Sequence, residues 1–390
     1  MKMCASGIRL LAGILLLLPV AAYGAGAVVD CSGATPGAFT SINAALASLP
    51  AQGPNSITVT GTCHENVVIV NRTQLNISGN PTATIFPNPI TPNGRVLVIF
   101  GSQQVGIQNL TIDGGRGVVV NDQSRVDFDT VTIQNSGGLG LTSLDSLVHI
   151  FNSTIKNSVR SGILVSGGTF NVDGSVTITG NGRLGIAALT AHLAINGGDG
   201  TPGTENVISN NGTGGVEVAS SSEADINSDN RITNNGGLWG LVVLNSSSVS
   251  MGDGTISNNT GLGVHCGGTS HCEFAGNIHI NGNGKGGIEI VEHSDSSLDG
   301  GLDISTNTGT GVLVDQSSSL TSLGGNTINN NTDDGMVVNT LSVIKFNAND
   351  TITGNGKLAL ECNNGSLVSG DISTYKPKKC GSAFQAQPIN

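Results

Sequence analysis

The residues able to do chemistry fall at one interval. His265 and Glu289 are 24 residues apart, and Glu217 precedes His265 by two such intervals. An imidazole beside a carboxylate can take up and release a proton near neutral pH. A fold that stacked the chain at this interval would set Glu217, His265 and Glu289 on neighbouring levels of one surface, as a catalytic acid–base trio. Glu292 ends the segment that carries Glu289, and Asp315 falls one level on, so both stand at the rim as substrate-binding candidates. Arg160 and Arg183 share a second position on successive levels, with Arg116 near the same edge. Guanidinium forks grip carboxylates, so this edge is a candidate for holding acidic sugars. The plainer alternatives are a hydrated strand surface with neighbouring charges and solubilising corner residues.

The elements that must position these residues are short strands in a repeat. The pattern Ile-x-x-Asn recurs at Ile178, Ile208, Ile232, Ile256, Ile280, Ile304, Ile328 and Ile352, evenly spaced by 24 from Ile208 onward. A glycine follows (Gly185, Gly215, Gly240, Gly263, Gly287, Gly311, Gly335), then an apolar-x-apolar triplet such as Val264-His265-Cys266. The middle residue of the triplet faces away from its two neighbours, and Glu217, His265 and Glu289 all occupy that outward column. A looser version runs upstream with glycines at Gly94, Gly117, Gly140 and Gly162, and one level carries an insertion around Gly197–Thr204. Alternation of this kind reads as strands with one inward face. Asn and Gly between them supply left-handed backbone for sharp corners. One such coil cannot bury its inner face alone, so it stacks on the next. Stacked coils sit about 4.8 Å apart, and about a dozen would make a rod roughly 60 Å long. Isoleucines then stack inside, and the Asn side chains form a corner ladder whose amides bond along the stack.

Segments such as "NRITNNGGLWGLVVLN" and "GTISNNTGLGVHC" resemble the right-handed parallel β-helix of the pectin-lyase-like superfamily, over about residues 38–371. The resemblance implies an all-β solenoid and leaves its activity open. The leucine-rich-repeat register is absent. Phe39, Ile42, Leu46 and Leu49 share one face of a short helix that Pro50 ends, suited to plugging the N-terminal end of the stack. The following "SITVTGTCHENVVIV" is similar to the opening of pectinesterases, with Cys63 where those often carry an aromatic residue. The catalytic motifs of pectinesterases are not matched: there is no Gln-Asp pair, and Arg125–Val131 shares only Val-Asp-Phe with the second aspartate motif. "NTDDG" at Asn331–Gly335 resembles an acidic motif of polygalacturonases. Its partner "SHC" at Ser270–Cys272 stands in the reverse order, and adjacent turn acids do not make the separated carboxylate pair that hydrolysis needs.

Composition narrows the partners. The net charge is −11, and more acidic once Lys2 and Arg9 are removed with a leader, so neither nucleic acid nor an anionic membrane is an expected partner. Lys2 and Arg9, the apolar run from Leu10 to Val20 and Ala22-Tyr23-Gly24 read as a secretory signal cleaved before Ala25. Six further cysteines in a secreted chain point to disulfides. Proximity favours Cys31 with Cys63, Cys266 with Cys272, and Cys362 with Cys380, among 15 pairings. A zinc site at His265–Cys272 is disfavoured because both cysteines have inward parity and both histidines outward. Acidic residues are scattered over different corners, so no metal or other cofactor is assigned. The expected organisation is a signal peptide at 1–24, a cap segment at 25–54, a β-helix at 55–371 and a C-terminal tail at 372–390. The expected function is that of a secreted protein engaging extracellular polysaccharide, as a binder or as a lyase, epimerase or hydrolase. The alternative is an adhesin-like rod without chemistry.

Overall fold

The computed structural model describes residues 24–198, 201 and 203–380. The expected signal segment therefore lies outside the described residues except for Gly24, and so do the last ten residues of the tail. The chain winds as a right-handed parallel β-helix of about 13 turns. Among the described residues no helix is long and apolar enough to cross a membrane.

Each regular turn contributes one strand to each of three ladders. The front ladder includes Leu184–Leu189, Gly214–Ala219, Trp239–Leu244, Leu262–Cys266, Gly286–Ile290 and Val312–Val314 in parallel register. The second includes Glu223–Asn227, Ser248–Met251, His271–Phe274 and Asp295–Leu298. The third carries the isoleucine row: Ile208, Ile232, Ile256, Ile280, Ile304, Ile328 and Ile352 pair in sequence. None of these seven is more than 3% exposed. Parallel strands spaced as in any sheet bring each isoleucine onto the next, so the core is a continuous apolar column.

The corner after that row differs from the expectation in one respect. The left-handed residue is not the ladder asparagine but the residue before it: Asn258, Gly282, Thr306 and Asn330 all have positive φ. The ladder asparagine instead turns inward and satisfies every polar atom it has. Asn283 Nδ2 donates to Ile256 O and to Asn307 Oδ1, each at 3.0 Å. Its Oδ1 accepts from the Asn259 amide N–H and from Asn259 Nδ2. The next glycine is likewise chosen for space. A Cβ on Gly287 would lie 2.4 Å from Gly311 O and 2.5 Å from Ile304 Cγ2.

The corner between the front and second ladders holds a further ladder, built from serines. One serine at each of these corners is buried, and its Oγ accepts the backbone N–H of its counterpart on the preceding turn: Ser247 from Ser222, Ser270 from Ser247, Ser294 from Ser270 and Ser318 from Ser294. Paired left-handed residues such as Glu292 and His293 precede these serines.

The ends of the stack are closed. The helix Ile42–Ser48 buries Ile42, Ala45 and Leu46. Its first N–H groups are met by the carboxylate of Glu65, which accepts from the Ile42 and Asn43 amides. The glutamate of the pectinesterase-like opening is thus a helix cap, stabilised by the dipole at that end. The strand Ala25–Asp30 pairs with Asn55–Thr60 beneath it. At the other end Tyr375 is 1% exposed, packs on Phe346, and accepts a hydrogen bond from the Asp350 amide. Burial pushes its phenol up to about 12. Disulfides join Cys31 to Cys63, Cys266 to Cys272 and Cys362 to Cys380.

Candidate functional site

The outward side of the front ladder is more apolar than a solvated sheet face. Its central column runs Ala187, Glu217, Val242, His265, Glu289, Leu313 and Val337. Ala187, Val242 and Val337 point away from the core yet are only 6%, 1% and 7% exposed. The flanking columns are apolar as well, with Leu184, Trp239 and Leu262 on one side and Leu189 and Leu244 on the other.

His265 and Glu289 stand on adjacent turns, as their spacing implies, and are bonded. Nδ1 of His265 lies 2.6 Å from Oε2 of Glu289, with side chains only 14% and 25% exposed. The imidazole also packs against the indole of Trp239, centroids 5.7 Å apart and planes tilted by 40°. The other ring nitrogen faces a gap. A Cβ on Gly267 would lie 2.8 Å from His265 Nε2 and 3.5 Å from Glu292 Oε2. Gly267 therefore lies against the imidazole nitrogen and, less closely, Leu244 Cδ2 and the Glu292 carboxylate, and the narrow gap there is too small for a methyl group.

Glu217 lies two turns away, with Val242 between it and His265. The trio is thus a bonded pair plus a separate carboxylate. Glu217 makes no hydrogen bond or ion pair among the described residues, and its apolar setting raises its carboxyl above the ordinary range. Asp315 sits on the turn after Glu289, where it accepts from the Gln316 amide at 2.7 Å and joins no other member of the site.

The arginine edge is also real in geometry. The Arg183 amide bonds to Arg160 O, and the Arg160 amide to Gly138 O, so Arg160 and Arg183 stack at one corner. Arg116 lies beside them, and so does Arg95, which the sequence reading passed over. That reading set the upstream corner at Gly94, whereas Val96 holds the position equivalent to Gly117: the Val96 amide bonds to Gly117 O and Leu97 pairs with Val118. Arg95 and Arg116 then occupy one column.

Other motifs resolve as structure. Asp333 pairs with Lys357 at 2.9 Å, and Asp334 accepts from the Leu358 amide, so the acidic turn is structural. Cys266 and Cys272 are fully buried in their disulfide, while His271 bonds outward to Asp295. Trp239 and Gly267 are neighbours of His265 that periodicity alone did not mark. The signal available was that Trp239 is the chain's one tryptophan, beside a corner glycine on the turn before His265.

Comparison with known proteins agrees with this architecture. Residues 95–239 match the family described as "Right handed beta helix region". Among solved structures, the A-module of the Azotobacter vinelandii mannuronan C-5 epimerase AlgE4 superposes with a TM-score of 0.57 at 14% identity, covering 90% of this chain and 98% of that one. The A-module of AlgE6 from the same organism gives 0.48 at 16% identity, covering 85% and 93%. No curated protein sequence matches the chain.

Proposed function

We propose that the chain is a secreted enzyme acting on polysaccharide by proton abstraction, in the manner of a lyase or epimerase, with the glycan lying along the front ladder. The observation that carries this reading is the His265–Glu289 pair. Glu289 bonds Nδ1, so Nε2 is left free over the Gly267 gap, which is the arrangement of an oriented general base. His265 Nε2 would take the proton from a sugar carbon next to a carboxyl group. Glu292 across the gap, or Glu217 with its raised pKa, would return a proton to the sugar or to the leaving glycosidic oxygen. Hydrolysis fits less well, since it needs two carboxylates free to flank one bond and Glu289 is held by the imidazole. Trp239 offers a flat apolar face beside the base, suited to a sugar ring. The disulfides suit an oxidising, extracellular compartment. A solved neighbour named as a mannuronan C-5 epimerase module lends support at the level of fold only.

A plain rod predicts a solvated, polar front face. Histidine–carboxylate pairs between turns also occur at His149–Asp173, His192–Asp225, His271–Asp295 and His279–Asp303; the His265–Glu289 pair differs from them in being recessed and in packing against the single tryptophan. The test is turnover on a panel of uronate-containing polysaccharides, with His265→Ala and Glu289→Gln. Wild-type turnover, lost in His265→Ala and strongly reduced in Glu289→Gln with folding intact, supports the assignment. Full activity in both variants, or no wild-type activity on any polysaccharide, moves the protein to the structural-rod reading.

A further inference from the structure

We propose that the hollow between Arg95, Arg116 and Arg160 is a binding site for a sulfate ester carried by the glycan. The inference rests on the reading above in placing a glycan along the front ladder, and it adds a substituent that reading does not require. The hollow has a volume of about 190 Å³, with Gly137, Gly138 and Leu139 completing the lining. Typical sites for whole small molecules run from roughly 300 to 1,000 Å³, so this one suits a substituent rather than a sugar ring.

None of the three guanidinium groups, nor that of Arg183 on the next turn, has a carboxylate partner among the described residues. The ion pairs of lysine and arginine lie elsewhere, at Arg231–Glu205, Lys357–Asp333 and Lys379–Glu361. Arg95 is partly sunk into the wall, and its Nη1 donates to Arg116 O at 2.9 Å, which fixes the fork and leaves its other donors unused. Burial and the neighbouring Arg116 both work against the charge on Arg95, so the cluster is unfavourable until an anion enters. In a chain of net charge −11, uncompensated cations gathered around a concavity call for a specific anion rather than a general polyanion surface.

The number of forks favours sulfate over carboxylate. One guanidinium fork engages both coplanar oxygens of a carboxylate and fixes the plane in which further forks can approach. Three forks reaching a small hollow from different turns match a tetrahedral group with three free oxygens. The edge also leads to the proposed chemistry: the column that opens the front strands runs from Arg95 and Arg116 through Leu184 and Gly214 to Trp239.

The test compares binding of chondroitin sulfate with that of chemically desulfated chondroitin, which share the uronate backbone. Wild type should bind the sulfated polymer at least about tenfold more tightly, with the advantage shrinking as salt rises. The Arg95→Gln, Arg116→Gln, Arg160→Gln triple variant should lose that advantage while its circular dichroism is unchanged. Arg160→Gln alone, an exposed corner substitution, should lose part of it and guards against misfolding of the triple variant. Equal binding of both polymers by wild type, or an unchanged preference in correctly folded variants, overturns the proposal. His265→Ala should keep the sulfate preference. Loss of turnover with preference kept separates failure of the anion site from failure of the catalytic reading.

Discussion

At the scale of single residues, the site turns on what Gly267 omits. Its backbone is outside the left-handed region, so alanine is allowed there, but the added Cβ would press on His265 Nε2. Gly267→Ala should therefore lower turnover by about tenfold or more while moving the unfolding midpoint little, because only a side-chain tip must shift. An active Gly267→Ala enzyme would remove the gap from the mechanism. Glu217 gives a pH prediction with a definite sign. Its folded pKa is raised above the ordinary 4.5 by burial, so the folded protein keeps that proton to higher pH than the unfolded chain. Its contribution to stability is fully present below about pH 4.5 and is lost as pH rises through the raised value. Glu217→Gln should thus raise the melting midpoint at neutral pH and leave it unchanged in acid. A midpoint that falls at neutral pH would mean that Glu217 has a stabilising partner. The outward parity of Glu217, His265 and Glu289 was legible in the sequence, because a strict period reports which way each side chain points. The Gly267 gap and the approach of Glu292 were not, because they join residues across a corner in three dimensions.

At the scale of elements, the ladders divide the work between burial and polar satisfaction. Ile280→Ala should cost about 2–5 kcal/mol, from lost burial and the cavity left between Ile256 and Ile304. Asn283→Ala should cost at least as much. It strips partners from the Asn259 amide, Asn259 Nδ2 and Ile256 O, and each unmet buried group costs about 1–3 kcal/mol. Chemical denaturation of the two variants decides the order, and an Asn283→Ala variant close to wild type would show that the ladder is dispensable. The isoleucine and asparagine rows were legible from spacing, but their corner was read one residue late. Runs such as Asn258-Asn259 offer two residues able to take positive φ, and only the buried hydrogen bonds select which one turns inward. The serine ladder was hidden for a related reason: serine is common in turns, and its sequence does not say which member of Ser246-Ser247-Ser248 accepts the bond from the Ser222 amide.

At the scale of the molecule, a regular solenoid presents three long faces, and the front one differs in being apolar and recessed around a bonded acid–base pair. The upstream turns keep their period loosely, which is why Val96 escaped notice as a corner and Arg95 with it. The same rod geometry that hid the arginine hollow from periodicity sets it in line with Trp239, so one extended glycan can touch both. The most direct measurement of this account is the emission of that tryptophan, the only one in the chain. Its ring packs on His265 and forms part of the proposed glycan surface, so a polysaccharide seated there must alter its surroundings. The account predicts a saturable change in intensity or wavelength on titration with a polysaccharide that the protein binds, at the same concentrations that saturate binding measured by calorimetry. A polysaccharide that binds by calorimetry while Trp239 emission stays flat would contradict it, because the glycan would then lie on another face.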